Sequence, residues 1–324
     1  MTIINGVEYK IYKKDIVSTI KNNDKIENKL NVIIVISNPC NYKRRWQLAL
    51  EFIDRMLNND DVELFIVETI YGDQTFHVTD SGNKNHLQLR TDVPLWHKES
   101  MINCAVKKLL PPNWKAFAWI DSDLDFENIH WANDTLKLLN GFRDVIQLFS
   151  HCLDLDKNEN TIKVFHSLGY QYETKAKYIP YGSNYSHCGY AWAMTRKAYE
   201  RMGDIFVWSI LGSGDFQMGH AFLGNSNSVN SECSDGYKLK AKEFTKRCRD
   251  FRVGYVPGVI RHYYHGSKKN RKYADRWQIL VKHQYDPFKH VVFDENGLLV
   301  PSADCPEELL TDIMNYFSER LEDD

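Results

Sequence analysis

The first half of the chain alternates two hydrophobic patterns. Residues 31–37 (NVIIVIS) form an unbroken β-branched run, the pattern of a strand buried on both faces, as in a parallel sheet covered by helices. Residues 44–58 then place Trp46, Ala49, Leu50, Ile53, Met56 and Leu57 at i, i+3, i+4, i+7, i+10 and i+11, one stripe of an amphipathic helix. A second strand is expected over 62–67 and a second helix over 98–110, with Ile102, Val106 and Leu109 inward and Pro111-Pro112 as its stop. A third apolar strand at 115–120, a helix over 128–139 and a strand at 144–149 complete the series. Strand and helix in alternation predict a doubly wound α/β sheet whose ligand crevice lies at the carboxyl ends of the strands.

The second half is less regular. Short strands are expected at 190–194 and 253–256, and helices near 196–202, 272–284 and 306–321. Residues 211–236 are rich in Gly, Ser, Asn and Asp, a composition typical of binding loops. No period of roughly 20 to 50 residues repeats, which sets solenoids and propellers aside.

With 324 residues, 43% hydrophobic and 26% charged, the chain can bury a large core, and its composition excludes disordered, collagen-like and disulfide-scaffold classes. Lys+Arg 41 against Asp+Glu 43 leaves a net charge of -2, so nothing global draws it to nucleic acid or an anionic membrane. No segment reads as a signal peptide or transmembrane span. The seven cysteines lie singly without a C-x-x-C pair, which fits reduced thiols in a cytoplasmic setting, the host cytoplasm if the source is viral. One large domain is expected over 31–290, divided into halves at 31–150 and 151–290, with an N-terminal extension (1–30) and a C-terminal helical extension (291–324).

Chemistry concentrates after the third strand, at Asp121-Ser122-Asp123-Leu124-Asp125. If the chain stays extended there, alternate residues share a side and all three carboxylates face one crevice. Such crowding is relieved by solvent or by a divalent cation, and hard oxygen ligands favour Mg²⁺, Ca²⁺ or Mn²⁺. A solvated acidic turn that caps the next helix is the alternative. The position, at the carboxyl end of a central strand, favours the ligand site.

The order of four blocks is more specific than any one of them. Ile34-Val-Ile-Ser-Asn38-Pro39, then Phe65-Ile-Val-Glu68, then Trp96-His-Lys98-Glu-x-x-x-Asn103, then Ala118-Trp-Ile-Asp121-Ser-Asp123 resembles the GT-A fold nucleotide-sugar glycosyltransferases. The likeness is to the β-1,4-galactosyltransferase and polypeptide N-acetylgalactosaminyltransferase-like branch, including forms met in bacteria and large DNA viruses, and spans roughly residues 31 to 288. It implies a GT-A (Rossmann-like) mixed sheet flanked by helices, and a Mn²⁺- or Mg²⁺-dependent hexosyl transfer from a nucleotide sugar, UDP favoured, to a hydroxyl of a glycan or other acceptor. By the same resemblance Asp121 contacts ribose or metal and Asp123 ligates the metal. Donor contacts fall to Asn38, Arg44 and Glu68, and to Lys98 and Asn103 on the helix before the acidic block. Trp96 reads as core.

Two blocks of the second half extend the resemblance. His187-Cys-Gly189-Tyr190-Ala-Trp192 followed by Leu211-Gly-Ser-Gly214-Asp215 corresponds to the acceptor segment, with Tyr190, Trp192 and Gly214 at the acceptor and Asp215 as the base. The family's Glu-Asp pair is reduced here to one Asp, and Asp215 also reads as a cap of a helix starting at Phe216. In Arg261-His262-Tyr-Tyr-His265-Gly266 the two histidines lie three apart, so on one strand they would face opposite sides and could not chelate together. The family's third metal ligand is therefore assigned to His265, with a buried hydrogen-bonded histidine as the other reading. Lys268 and Arg271, from the basic run that follows, suit either donor phosphates or a solvated face.

Three other functions meet the same residues. A nucleotide-sugar pyrophosphorylase would need a Gly-rich loop where residues 37–42 have no glycine. A haloacid-dehalogenase phosphatase would need Thr or Val where Asp125 stands. A non-catalytic carbohydrate- or nucleotide-sugar-binding relative is separated from an enzyme by a donor-hydrolysis assay.

Overall fold

The structure is a computed structural model; it describes residues 2–10, 12–21, 26–177, 186–225, 229–272 and 275–324. A hairpin of β1 (Thr2–Ile4) and β2 (Val7–Tyr9) leads to α1 (Lys13–Lys21). β3 (Leu30–Ser37), α2 (Lys43–Leu57), β4 (Val62–Tyr71), β5 (His86–Thr91), α3 (Lys98–Lys108) and β6 (Ala116–Ile120) follow. Next come β7 (Leu124–Phe126), α4 (Trp131–Leu139), β8 (Val145–Gln147), β9 (His151–Leu155), β10 (Thr161–Ser167) and α5 (Leu168–Thr174). The second half holds β11 (Ser186–His187), β12 (Ala191–Thr195), α6 (Arg196–Met202), α7 (Gly214–Phe222), α8 (Asp235–Arg247), β13 (Val253–Tyr255) and β14 (Val259–His262). A 3-10 turn (Lys268–Arg271), α9 (Arg276–Lys282), β15 (Val291–Phe293), β16 (Leu299–Pro301) and α10 (Glu307–Ser318) complete the chain.

Seven strands form the main sheet in the order β13-β8-β12-β6-β3-β4-β5. The three expected strands β3, β4 and β6 are parallel neighbours, with β3 in the middle. Alternate side chains of β3 enter two separate cores, Ile33 on one face with α3 and α7, and Val32, Ile34 and Ile36 on the other with α2 and α4. An apolar run without alternation is the cost-free sequence for such a doubly covered strand.

The sheet is mixed rather than wholly parallel. β12 slots antiparallel between β6 and β8, so the 144–149 segment keeps its direction but lies one strand further out. The apolar stripe of α2 is also rotated: Leu48, Ala49, Phe52 and Met56 are buried, whereas Leu50 and Leu57 face out. Residues 211–236 contain α7 and the start of α8 rather than loop alone; the Ser234 hydroxyl accepts from the Tyr237 N–H and caps α8. A second sheet, β11-β10-β9-β14-β7, crosses the carboxyl ends of the central strands and carries the histidine segment to them. Both terminal segments share these cores: Ile4 and Tyr9 on one face, Leu309, Ile313, Tyr316 and Phe317 of α10 on the other.

Candidate active site

Backbone pairing brings the acidic turn and the histidines together. The Asp121 N–H donates to the Tyr190 carbonyl (2.8 Å) and the Tyr263 N–H to the Asp123 carbonyl (2.9 Å). β7 pairs antiparallel with β14, Leu124 opposite His262, which sets Asp123 beside the end of β14. β14 stops at His262, so the strand rule that would turn His262 and His265 apart no longer applies. The chain bends at Gly266 (φ +86°), packed so close to the backbone of residues 320–322 that a Cβ would lie 2.9 Å from the Glu322 Cα. Both imidazoles return to one point: His265 Nε2 lies 2.8 Å and His262 Nε2 3.8 Å from Asp123 Oδ2. The expectation that at most one histidine joins the cluster is thereby corrected. The ligand atoms of Asp123, His262 and His265 lie within 4.8 Å of one another.

The hydrogen-bond network assigns the protons. His262 Nδ1 stands 2.8 Å from Asp154 Oδ1, a carboxylate that, against its burial, His262 and Lys268 hold below the ordinary range. Nδ1 therefore carries the hydrogen and Nε2 a lone pair, in a ring that burial keeps neutral. That Nε2 is buried and has no hydrogen-bond partner among the described residues, as is true of Asp123 Oδ1. His265 Nε2 is 2.6 Å from an Arg271 nitrogen, which can only donate, so Nε2 accepts there and its one lone pair is engaged by Arg271. The partnerless Nε2 of His262 and the Arg271–His265 pair thus surround the Asp123 carboxylate, which lies well below the usual range although desolvation opposes this, favoured by His265, His262 and Arg271. A divalent cation fits this donor set; two imidazoles and one carboxylate suit a first-row transition ion better than Mg²⁺.

The cluster opens on a cavity of about 880 Å³ at the carboxyl ends of the central strands. Of the residues singled out in the sequence, Lys98, Asp121, Asp123, Tyr190, Asp215, His265, Lys268 and Arg271 line it. Asp121 is ion-paired with Lys98, whose charge it stabilises against the burial of that lysine, and lies outside the three-residue cluster. Asp125 turns away to Arg55, 3.5 Å distant. Tyr190 (φ +79°) is sandwiched between His187 (centroids 3.9 Å) and His262 (4.8 Å). Asp215 is the second residue of α7; its Oδ1 accepts from the Phe216 N–H (2.8 Å), and Oδ2 packs on Gly189, where a Cβ would lie 2.2 Å from it. α7 begins at Gly214 with Ser213 at the N-cap position and no side-chain cap, so Asp215 lies inside the first turn rather than capping a helix that starts at Phe216, and it lines the cavity.

The other candidates stand outside the cavity lining. Glu68 is buried under residues 77–79 and accepts from the N–H groups of His77, Val78 and Thr79 and from the Thr79 hydroxyl (2.6–3.1 Å). Asn38 is tied to the Tyr42 backbone, and Arg44 to the Tyr264 carbonyl and Asp323. Asn103 holds both backbone groups of Ile205, Trp192 is core, and Gly214 lies against the Glu99 side chain. Trp96, expected in the core, is partly buried against it, stacks on Phe317 and also lines the cavity.

Sequence reasoning passed over several groups that the fold delivers. Arg45 and Arg320 both reach the cavity and clasp the buried Glu322, whose carboxylate lies 3.6 Å from His265 Nδ1. Glu99, one residue past Lys98, is 1% exposed, and desolvation pushes its carboxyl up to about 8; its Oε2 has no partner among the described residues. Burial lowers His187 to about 4. The H-x-x-H-G spacing and the Lys98-Glu99 pair were the available signals; nothing local marks Glu322.

No protein-family profile matches this chain, and no curated protein does. Among solved structures it is similar to a Drosophila β-1,4-galactosyltransferase 7 mutant in complex with manganese, UDP-Gal and xylobiose (11% identity, 85% of this chain and 95% of that one, TM-score 0.40). It is also similar to a Desulfovibrio desulfuricans protein described as a nucleotide-diphospho-sugar transferase (9% identity, 91% and 99%, TM-score 0.34). A third is a 4-diphosphocytidyl-2C-methyl-D-erythritol synthase of Anaerococcus prevotii (13%, 72% and 89%, TM-score 0.33). No helix among the described residues is long and apolar enough to cross a membrane.

Proposed function

We propose that this chain is a metal-dependent glycosyltransferase of GT-A type that moves a hexosyl group from a UDP-sugar to a hydroxyl of a glycan acceptor. The observation that carries the reading is the N,N,O cluster of Asp123, His262 and His265, with His262 Nε2 and Asp123 Oδ1 buried and without partners among the described residues, at the rim of a cation-rich cavity. Asp123, His262 and His265 would hold the ion; bound there, it supplies positive charge to the diphosphate of the donor. The donor set favours Mn²⁺ over Mg²⁺. Arg271 and Arg45 stand where a diphosphate beside that cluster would meet guanidinium groups, which bind phosphate oxygens in pairs. Lys98 pairs with Asp121 and favours its charge against the burial that raises that carboxyl, beside the place where the donor ribose would lie.

On the acceptor side, Asp215 Oδ2 takes the proton of the attacking hydroxyl, a role worth typically about 10²–10⁴ in rate. Glu99 beside it, raised to about 8, remains neutral near pH 7, leaving Asp215 the acid that acts as base. The Tyr190 ring between His187 and His262 offers a rigid wall to the sugar.

A panel of UDP- and GDP-sugars incubated with the protein and Mn²⁺ tests the reading. Slow hydrolysis of at least one donor is expected, stopped by chelation and absent in Asp123→Ala. Hydrolysis retained in Asp123→Ala rejects the site; binding without turnover of any donor points to the non-catalytic relative.

A further inference from the structure

A ligand histidine binds metal through one nitrogen only when the other is held in the right protonation state, commonly by a carboxylate. Behind His262 stands Asp154, 1% exposed, on β9, the strand that pairs parallel with β14. Its Oδ1 faces His262 Nδ1 at 2.8 Å, and its Oδ2 is ion-paired with Lys268 Nζ. The lysine therefore does more than lie near the cavity: it claims one oxygen and leaves the other for the imidazole.

We propose that Asp154, oriented by Lys268, is a positioning residue that locks His262 as the Nδ1–H tautomer and so keeps its Nε2 lone pair directed at the metal cluster. The inference rests on the reading that Asp123, His262 and His265 hold a divalent ion. It also assigns Lys268 a place in the support of the site rather than on the donor phosphates.

The chemistry makes a specific demand of Asp154→Asn. Lys268 can only donate, so it selects the amide oxygen and turns the amide NH₂ toward His262 Nδ1. The ring must then accept at Nδ1 and carry its proton on Nε2, the wrong tautomer for a ligand, as when an amide replaces the aspartate of a catalytic triad. Removing the lysine as well frees the amide to rotate. Asp154→Asn combined with Lys268→Met is therefore expected to restore what Asp154→Asn loses, an outcome that a merely structural role for either residue does not give.

The test combines two-bond ¹⁵N–¹H spectra of metal-free protein labelled at histidine with Mn²⁺ titration followed by EPR. In the wild type the His262 tautomer is expected to be Nδ1–H. In Asp154→Asn it becomes Nε2–H and the Mn²⁺ Kd rises about 10- to 100-fold; in the double variant both return toward wild type. Nε2–H in the wild type, an unmoved Kd in Asp154→Asn, or a double variant weaker than the single one overturns the proposal. If Asp154→Asn does not fold, Asp154→Ser replaces it, and wild-type Mn²⁺ affinity there overturns the proposal equally. Absence of Mn²⁺ binding by the wild type overturns the metal reading itself, and this inference with it; wild-type binding with an unmoved variant overturns the positioning role alone.

Discussion

Replacing Glu99 by Gln is expected to stabilise the protein, by an amount that depends on pH. Glu99 sits in the first turn of α3 with its carboxyl against Gly214, where a Cβ would lie 2.2 Å from Oε1. Desolvation dominates there, followed by Lys98, which favours the charge, and Asp215, which opposes it; together they raise the group from 4.5 to about 8. Below about pH 4.5 the folded and unfolded chains both keep the proton, and the group has no pH-dependent effect. As pH rises toward 8 the unfolded chain loses the proton while the folded one retains it, so stability falls by about 1.4 kcal/mol per pH unit and then levels off. At pH 7 the deficit is on the order of 3 kcal/mol, and Glu99→Gln removes it. Urea unfolding of the two proteins with chelator present, at intervals from about pH 4 to 8, reads the difference directly. The curves should meet at the acid end and diverge toward neutrality, with the variant above. Parallel curves would mean that Glu99 ionises like an exposed carboxyl, and the argument that Asp215 is the working base would lose its support.

Glu68→Ala should lower stability by roughly 3 kcal/mol, because three N–H groups and the Thr79 hydroxyl lose a charged acceptor that is itself buried. Affinity for UDP, measured by calorimetry while both proteins are folded, should be unchanged; a loss of affinity with normal stability would return Glu68 to the donor site. Glu322→Ala leaves Arg45 and Arg320 without their shared carboxylate and should cost about 3–5 kcal/mol in urea unfolding. A change within experimental error there would show that the clasp contributes nothing.

What the sequence made legible followed from local pattern. The run at 31–37 needed no tertiary information to be read as a doubly buried strand, and Asp121 and Asp123 lie at its neighbour's carboxyl end by chain order alone. The helix stripe of α2 was less secure, because Leu50 and Leu57 are apolar without being buried. The pairing of His262 with His265 depended on where β14 stops and on a glycine bend held by the C-terminal residues, neither of which a period-two rule contains. Arg45 rather than Arg44 reaches the cavity because helical geometry turns adjacent residues about 100° apart, and the starting angle is set by packing. Asp154 and Glu322 were invisible for a plainer reason: His262 and Lys268 for the one, Arg45 and His265 for the other, are more than fifty residues away, and no local motif marks them.

The most direct measurement is a crystal soaked with Mn²⁺ and UDP, with anomalous scattering collected near the manganese edge. A single strong peak bounded by Asp123 Oδ2, His262 Nε2 and His265 Nε2, with the UDP diphosphate against it, is expected. A site that stays empty while the nucleotide binds, or a peak held by other residues, would contradict the account.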